Sequence, residues 1–363
     1  MKHDDKLFLD NYFGLYRRLL LETDVKYDLI AFRDICKSVQ SRGKKLIFAG
    51  NGASASISSH AATDFTQHSR VRSICFNDHN LITAFGNDYG YDQWIVKAME
   101  AYADPGDVIV LISSSGRSPN IVNAAQYAFN NSLKCITFSG FSSNNPLRDI
   151  GNLNLWIDCD QYNIVETIHL IWILLVASLI EVDAKNEVFL IEHLAKIYNA
   201  ISSDEHRTQL IQFRDICNAV IAKSGKLIFA GNGGSSSIAS HAATDFTKQS
   251  GIRSVAFNDH NLLTAFANDY GQENWIAQCI NAYADPEDAV VLISSSGSSK
   301  NVTNAASIAK TNRLPVVTFT GFDVNNALSK LGDLNFWIDS HYYSVTEGAH
   351  SALVFCVADM LLY

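Results

Sequence analysis

Two stretches of the chain place small hydroxyl residues where an apolar run gives way to a helix. Residues 111–120 read LISSSGRSPN and residues 292–301 read LISSSGSSKN. The residues of interest are Ser113, Ser114, Ser115, Gly116 and Ser118, matched by Ser294, Ser295, Ser296, Gly297 and Ser299. Small side chains let the backbone approach an anion closely, and the first turn of a helix offers N–H groups and partial positive charge. The pattern suits a phosphate cradle. It lacks the lysine of a nucleotide-binding P-loop, which argues against a nucleoside triphosphate. A Ser/Gly turn with an N-cap is the plainer alternative.

Three further stretches carry candidate chemistry, each present twice. AGNGASASISSHAATDF holds Asn51 and Ser54 at a strand-to-helix turn; AGNGGSSSIASHAATDF holds Asn232 and Ser235. On the helix that follows, His60 and Asp64 are four apart and share a face, as do His241 and Asp245. Such a pair suits a metal or a paired acid and base, and equally a salt bridge on an ordinary helix. In VETIHL, Glu166 and His169 share a face of a very apolar helix, and Glu347 and His350 repeat them. A carboxylate and an imidazole there need a reason, because burying them unpaired is costly; the alternative is that they close the polar end of a buried helix. In FNDHNLITAFGNDYG and its copy, Asp78, Asn87 and Asp88 recur as Asp259, Asn268 and Asp269. These suit either sugar hydroxyls or Asx turns.

The elements that position these residues come from a duplication. FRDIC, LIFAGNG, SHAATDFT, FNDHNL, AYADP and LISSSG each occur twice at a constant offset. Two long copies mean two homologous domains rather than a solenoid. We place them at residues 1–183 and 184–363, with the boundary near EVDAKNE. The chain's 363 residues agree with two domains at about 150 residues each. Within a copy, residues 6–40 read as two helices broken near Thr23-Asp24. Short apolar runs (KLIFAG, VRSICF, DVIVLIS, KCITFSG, LNLWID) then alternate with helical stretches at 54–67, 80–85, 94–102, 119–130 and 165–180. Alternation of this kind predicts a parallel sheet covered on both faces, with its site beyond the carboxyl ends of the strands.

Composition narrows the partners. Hydrophobic residues make up 47% and the formal net charge is −9. This excludes disorder and disfavours nucleic-acid and peripheral membrane binding. The apolar run at 170–180 is shorter than the roughly 20 residues of a bilayer span. The 7 cysteines show no C-x-x-C spacing and read as buried, reduced thiols. The N-terminal residues lack the pattern of a signal peptide, so a cytoplasmic protein is expected.

Taken together, GNGxS, the helical His-x-x-x-acid, Asp78 nine residues before Asn-Asp-Tyr-Gly, and SSSGxS resemble the SIS (sugar isomerase) phosphosugar-binding family, in particular its phosphoheptose isomerase branch. The resemblance covers nearly the whole of each half. It implies two tandem flavodoxin-like domains, each an α/β fold with a five-stranded parallel sheet. It also implies isomerisation of sedoheptulose 7-phosphate to a heptose 7-phosphate. By this resemblance Ser54, Ser113, Ser114, Ser115 and Ser118 hold the phosphate, and Asp64 stands in place of a catalytic glutamate. His60, Asp64 and Glu166, with His241, Asp245 and Glu347 in the second copy, match positions that can bind zinc. The family's tetramer implies a homodimer of this tandem chain.

The sequence also departs from the family. Asp64 and Asp245 are one methylene shorter than glutamate, and Glu166 and Glu347 replace a glutamine. Leu174 and Phe355 stand where the family has a histidine, and neither transfers a proton or binds a metal. Two readings follow. In the first, an aldose–ketose isomerase works through an enediol, with Glu166 or Asp64 as base and His60 or His169 as its partner. In the second, a non-catalytic phosphosugar-binding module serves as a sensor or assembly adaptor. Retention of the acids and histidines in both halves favours the first; the two lost histidines favour the second.

Overall fold

The computed structural model describes residues 3–183 and 187–363. It divides into two compact units, one from Arg18 to Leu194 and one that joins the chain up to Arg17 with Ala195–Tyr363. The boundary expected between residues 183 and 184 falls at 184–186, which lie outside the described residues. We call the units by the repeat that supplies their sheet.

The first-repeat sheet contains β1 (Leu46–Gly50), β2 (Ser73–Cys75), β3 (Val108–Ser113), β4 (Lys134–Ser139) and β5 (Leu153–Trp156). The second-repeat sheet contains β6 (Leu227–Gly231), β7 (Ser254–Ala256), β8 (Ala289–Ser294), β9 (Val316–Gly321) and β10 (Leu334–Ile338). All pairings are parallel, in the orders β2-β1-β3-β4-β5 and β10-β9-β8-β6-β7. This is the flavodoxin-like order, in which the chain reverses direction across the sheet between β1 and β3, or β6 and β8. Strands β1, β3, β6 and β8 are buried along their whole length, as their unbroken apolar sequence requires.

Each sheet has two covered faces. On one, Trp94, Ile95, Met99, Ile121 and Ala124 pack on Ile47, Ile109 and Leu111; Trp275, Ile276, Ile280 and Val302 repeat this in the second unit. On the other, Phe32, Phe65 and Phe138 meet ring to ring beneath helices Lys26–Ser41 and Ala53–Gln67. The long apolar helix Tyr162–Glu181 packs against both. It exceeds the expected 165–180, and by length and composition it could cross a membrane, yet its apolar window is entirely buried. At about 1.5–3 kcal/mol for each fully buried Leu or Ile, it is a principal source of core stability.

The break expected near Thr23-Asp24 is present, preceded by a π-helical turn at Arg18–Glu22. The helix before it, His3–Arg17, belongs to the second-repeat unit. There Asp10 meets Arg207 at 2.7 Å, Asp5 meets Arg214, Phe8 packs on Tyr363, and Tyr12 and Tyr16 are buried. The AYADP motifs serve the amino ends of the strands: Asp107 accepts from the Lys45 and Asp104 N–H groups at 3.0 and 2.8 Å, and Asp288 does the same for Lys226 and Asp285 at 2.8 Å each. All seven cysteines are free.

Candidate functional site

The motif residues gather at the carboxyl ends of β1 and β3, which are adjacent in register, Gly50 beside Ile112. β1 ends at a turn so tight that a Cβ on Gly50 would lie 2.5 Å from the Ser54 carbonyl carbon. Only glycine fits. Ser54, nearly fully buried, therefore opens helix Ala53–Gln67 directly above the strand end, and Ser235 does so above β6.

β3 ends in the serine loop. The Gly116 N–H donates to the Ser113 carbonyl at 3.0 Å, with φ +63° at Gly116, and a Cβ there would lie 2.0 Å from Asn145 Oδ1. Asn145 in turn caps the short helix Pro146–Ile150, accepting from the Arg148 N–H at 3.0 Å. Ser118 stands at the N-cap of helix Pro119–Asn130 but makes no side-chain cap bond. Its hydroxyl lies instead 3.2 Å from that of Ser113. Ser299 behaves alike, 3.4 Å from Ser294, and leaves helix Lys300–Thr311 without a side-chain cap. By contrast, Asp78 and Asp259 do cap their helices, accepting from the Leu81 and Leu262 N–H groups at 3.0 Å. In the first turns, Pro119 has no N–H and the Ile121 and Val302 N–H groups bond to the Asn120 and Asn301 side chains, so the N–H groups that carry no side-chain cap are those of Asn120 in the first repeat and of Lys300 and Asn301 in the second, where an anion can be accepted.

The two loops are joined by a residue pair that sequence reading missed. Asn51 and Asn120 exchange side-chain hydrogen bonds, each Nδ2 donating to the other's Oδ1 at 2.9 Å. Asn120 Oδ1 also accepts from the Ile121 N–H. Asn232 and Asn301 repeat the pair at 2.9 and 2.8 Å. Asn51 and Asn232 are therefore engaged in locking the loops together. The available signal was an asparagine at the same position of both copies, SPN and SKN.

The acidic residues take distinct places. Ser114 donates to Glu166 Oε1 at 2.9 Å, and Ser295 to Glu347 Oε1 at 3.2 Å, with all four side chains buried. His60 Nε2 lies 3.5 Å from Asp64 Oδ2; His241 Nε2 lies 3.0 Å from Asp245 Oδ2, with its ring against that of Phe355, centroids 3.9 Å apart and tilted by 37°. Within a repeat, the three implied zinc positions do not converge. His60 and Asp64 approach each other while Glu166 serves Ser114, and the three form no group with ligand atoms within 4.8 Å of one another; His241, Asp245 and Glu347 likewise form none. The within-repeat trio expected from the sequence is not formed.

His169 and His350 also differ from expectation. Each is fully buried, with Nε2 bonded to a strand-end carbonyl: Ser139 at 3.2 Å and Thr320 at 3.0 Å. Burial lowers both imidazoles to a pKa of about 4, so they are neutral fixtures of the core. His169 thus bonds to the backbone of the β4 end, beside Ser113 in register, while Glu166 on the same helix bonds to the Ser114 side chain. Leu174 and Phe355 are likewise buried. Asn87, Asp88, Asn268 and Asp269 are exposed, each Asn donating to its neighbouring Asp at 3.0 and 2.9 Å.

Comparison with known proteins matches this architecture. The family model described as "SIS domain" fits residues 12–140 and 191–321, more than half of the chain. The chain belongs to the SIS domain family. A Thermoplasma acidophilum protein named "Probable phosphoheptose isomerase" is 32% identical over 184 residues, covering 49% of this chain and 98% of its own. The phosphoheptose isomerase of Akkermansia muciniphila is 29% identical over 153 residues, covering 40% of this chain and 80% of its own. Such relatives have the length of one SIS repeat. Among solved structures, the C-terminal domain of the glucosamine-fructose-6-phosphate aminotransferase of Francisella tularensis matches 98% of this chain and 95% of its own, with TM-score 0.61 and 10% identity, a likeness of fold.

Proposed function

We propose that this chain is a phosphosugar aldose–ketose isomerase whose serine loops hold the phosphate of the substrate. The observation that carries this reading is the pair of N-cap serines, Ser118 and Ser299, that do not cap. Their helices present the Asn120 N–H in the first repeat, and those of Lys300 and Asn301 in the second, at the carboxyl end of a central strand, and Ser113, Ser115 and Ser54 offer hydroxyl donors beside the first. A phosphate bound there fixes one end of an extended sugar and sets the carbonyl end at a defined distance.

The proton chemistry falls to the acids. Isomerisation through an enediol moves a proton between the two carbons that exchange the carbonyl, and a second acid–base group serves the two oxygens. We assign Asp64 and Asp245 as the bases, each beside a histidine, His60 or His241, that takes up and returns the oxygen proton. Glu166 and Glu347, tied to Ser114 and Ser295, orient the loop hydroxyls toward the substrate. His169 and His350 take no part, because their protons are committed to strand carbonyls. The names of the relatives favour a seven-carbon ketose 7-phosphate as substrate.

Proton NMR in deuterated buffer with sedoheptulose 7-phosphate tests the reading. Deuterium entering the carbon next to the carbonyl, together with aldose product, is the expected result. Saturable binding with no exchange in a panel of ketose phosphates overturns catalysis. It would establish the second reading, a phosphosugar-binding module, which the buried Leu174 and Phe355 favour.

A further inference from the structure

The two serine loops carry equal formal charge but organise it differently. In the first repeat Arg117 follows Gly116. Its N–H donates to Ser115 Oγ at 3.3 Å, and its exposed guanidinium donates to the Asn144 carbonyl at 2.5 Å. Arg148 holds the same segment, donating to the Ser143 carbonyl at 3.0 Å while lying 4.4 Å over the Trp156 ring. The nearby acid is Asp149.

The second repeat has serines at both arginine positions. Ser298 turns its hydroxyl onto Ser296 Oγ at 3.0 Å, occupying an acceptor site of a cradle serine. Ser329 donates to the Asn326 carbonyl at 2.8 Å. The cations are instead Lys300 and Lys330, both exposed, in place of Pro119 and Asp149, and the acid is Asp323 in place of Ser142. A guanidinium already anchored to a loop carbonyl keeps several N–H donors in a fixed fork. It loses less freedom on meeting an anion than an ammonium on a flexible stem.

We propose that Arg117 makes the first-repeat loop the tighter of the two anion sites, so that one chain binds phosphate with two affinities. The proposal rests on reading the serine loops as phosphate sites.

The test is an NMR titration of the full chain with inorganic phosphate, following the Gly116 and Gly297 amides as reporters of the two loops. Gly116 is expected to saturate at about fivefold lower phosphate, the upper end for a solvent-exposed ion pair. Arg117→Ser should bring the two curves together, and Arg117→Lys should retain part of the gap. Arg117 is exposed, so neither variant removes a core contact. Coincident curves in the unmodified chain, or a gap that survives Arg117→Ser, overturn the proposal while leaving the phosphate reading intact. If neither amide responds to phosphate, the phosphate reading fails, and the proposal fails with it.

Discussion

Ser114 and Glu166 are 52 residues apart in sequence and meet through a 2.9 Å hydrogen bond from the serine hydroxyl to the carboxylate, at the point where the loop after β3 passes the long apolar helix. The serine loop and the buried acid are therefore positioned as one unit, and Ser295 with Glu347 repeats the arrangement.

Ser114→Ala removes this donor from a buried carboxylate. A loss of about 1–3 kcal/mol is expected. Thermal unfolding should show a lower Tm for Ser114→Ala, and Ser114→Thr should recover most of the difference. An unchanged Tm would mean that the bond contributes nothing to the fold.

Asp64→Asn combined with Asp245→Asn keeps shape and removes the proposed bases. Turnover is expected to fall by about 10²–10⁴-fold, the usual contribution of a positioned acid–base group. Phosphate affinity should stay within a factor of about two, well under 1 kcal/mol. Initial rates and a phosphate titration check the two halves separately; full turnover in the double variant would remove these acids from the mechanism.

His169 and His350 give the fold an acid-sensitive component. Their folded pKa of about 4 lies below the value of roughly 6.5 expected in the unfolded chain. Between these values the unfolded chain takes up protons that the folded one refuses. Stability therefore falls as pH drops from about 6.5 toward 4, by about 3 kcal/mol per histidine over the full window. His169→Gln keeps a donor for the Ser139 carbonyl without a titrating group. It should lower stability at pH 7 yet flatten the loss on acidification in urea unfolding series. An equally steep loss in the variant would contradict this assignment.

The helix His3–Arg17 belongs to the second-repeat unit through Asp10–Arg207, Asp5–Arg214 and the buried Tyr12 and Tyr16. A chain that starts at Arg18 should therefore loosen the more distant repeat in sequence. Hydrogen exchange is expected to rise in helices Asp204–Ala222 and Tyr343–Met360 and to stay unchanged in Lys26–Ser41. The reverse pattern would sink the idea.

Much of the fold was legible because the signals were local. DVIVLIS and KLIFAG can only be strands buried on both faces, and helices 94–102 and 119–130 begin and end where their apolar spacing placed them. VRSICF shrank to Ser73–Cys75, since an edge strand with one partner loses its ends. The short helix Pro146–Ile150 was missed, being too brief to show a period. The site was less legible. Spacing put His169 and Glu166 on one helix face, but the whole helix is buried, so a shared face said nothing about a shared environment. Asn51 read as a ligand for substrate because its partner, Asn120, lies in another segment that only the tertiary structure brings near. Which repeat the first helix would join was not written in its own residues.

The amide pair of Asn51 and Asn120 has a consequence for how such a chain can evolve. Each Nδ2 finds its acceptor in the other's Oδ1, in a place where an unmatched amide donor costs about 1–3 kcal/mol. Aspartate, serine or alanine at either position leaves its neighbour half satisfied. The two positions can drift only together, through an intermediate that is worse than either end. The copies have diverged a few residues away, where Arg117 faces Ser298, while Asn232 and Asn301 keep the same exchange. Mutual dependence of this kind can hold a position fixed even where no ligand ever touches it.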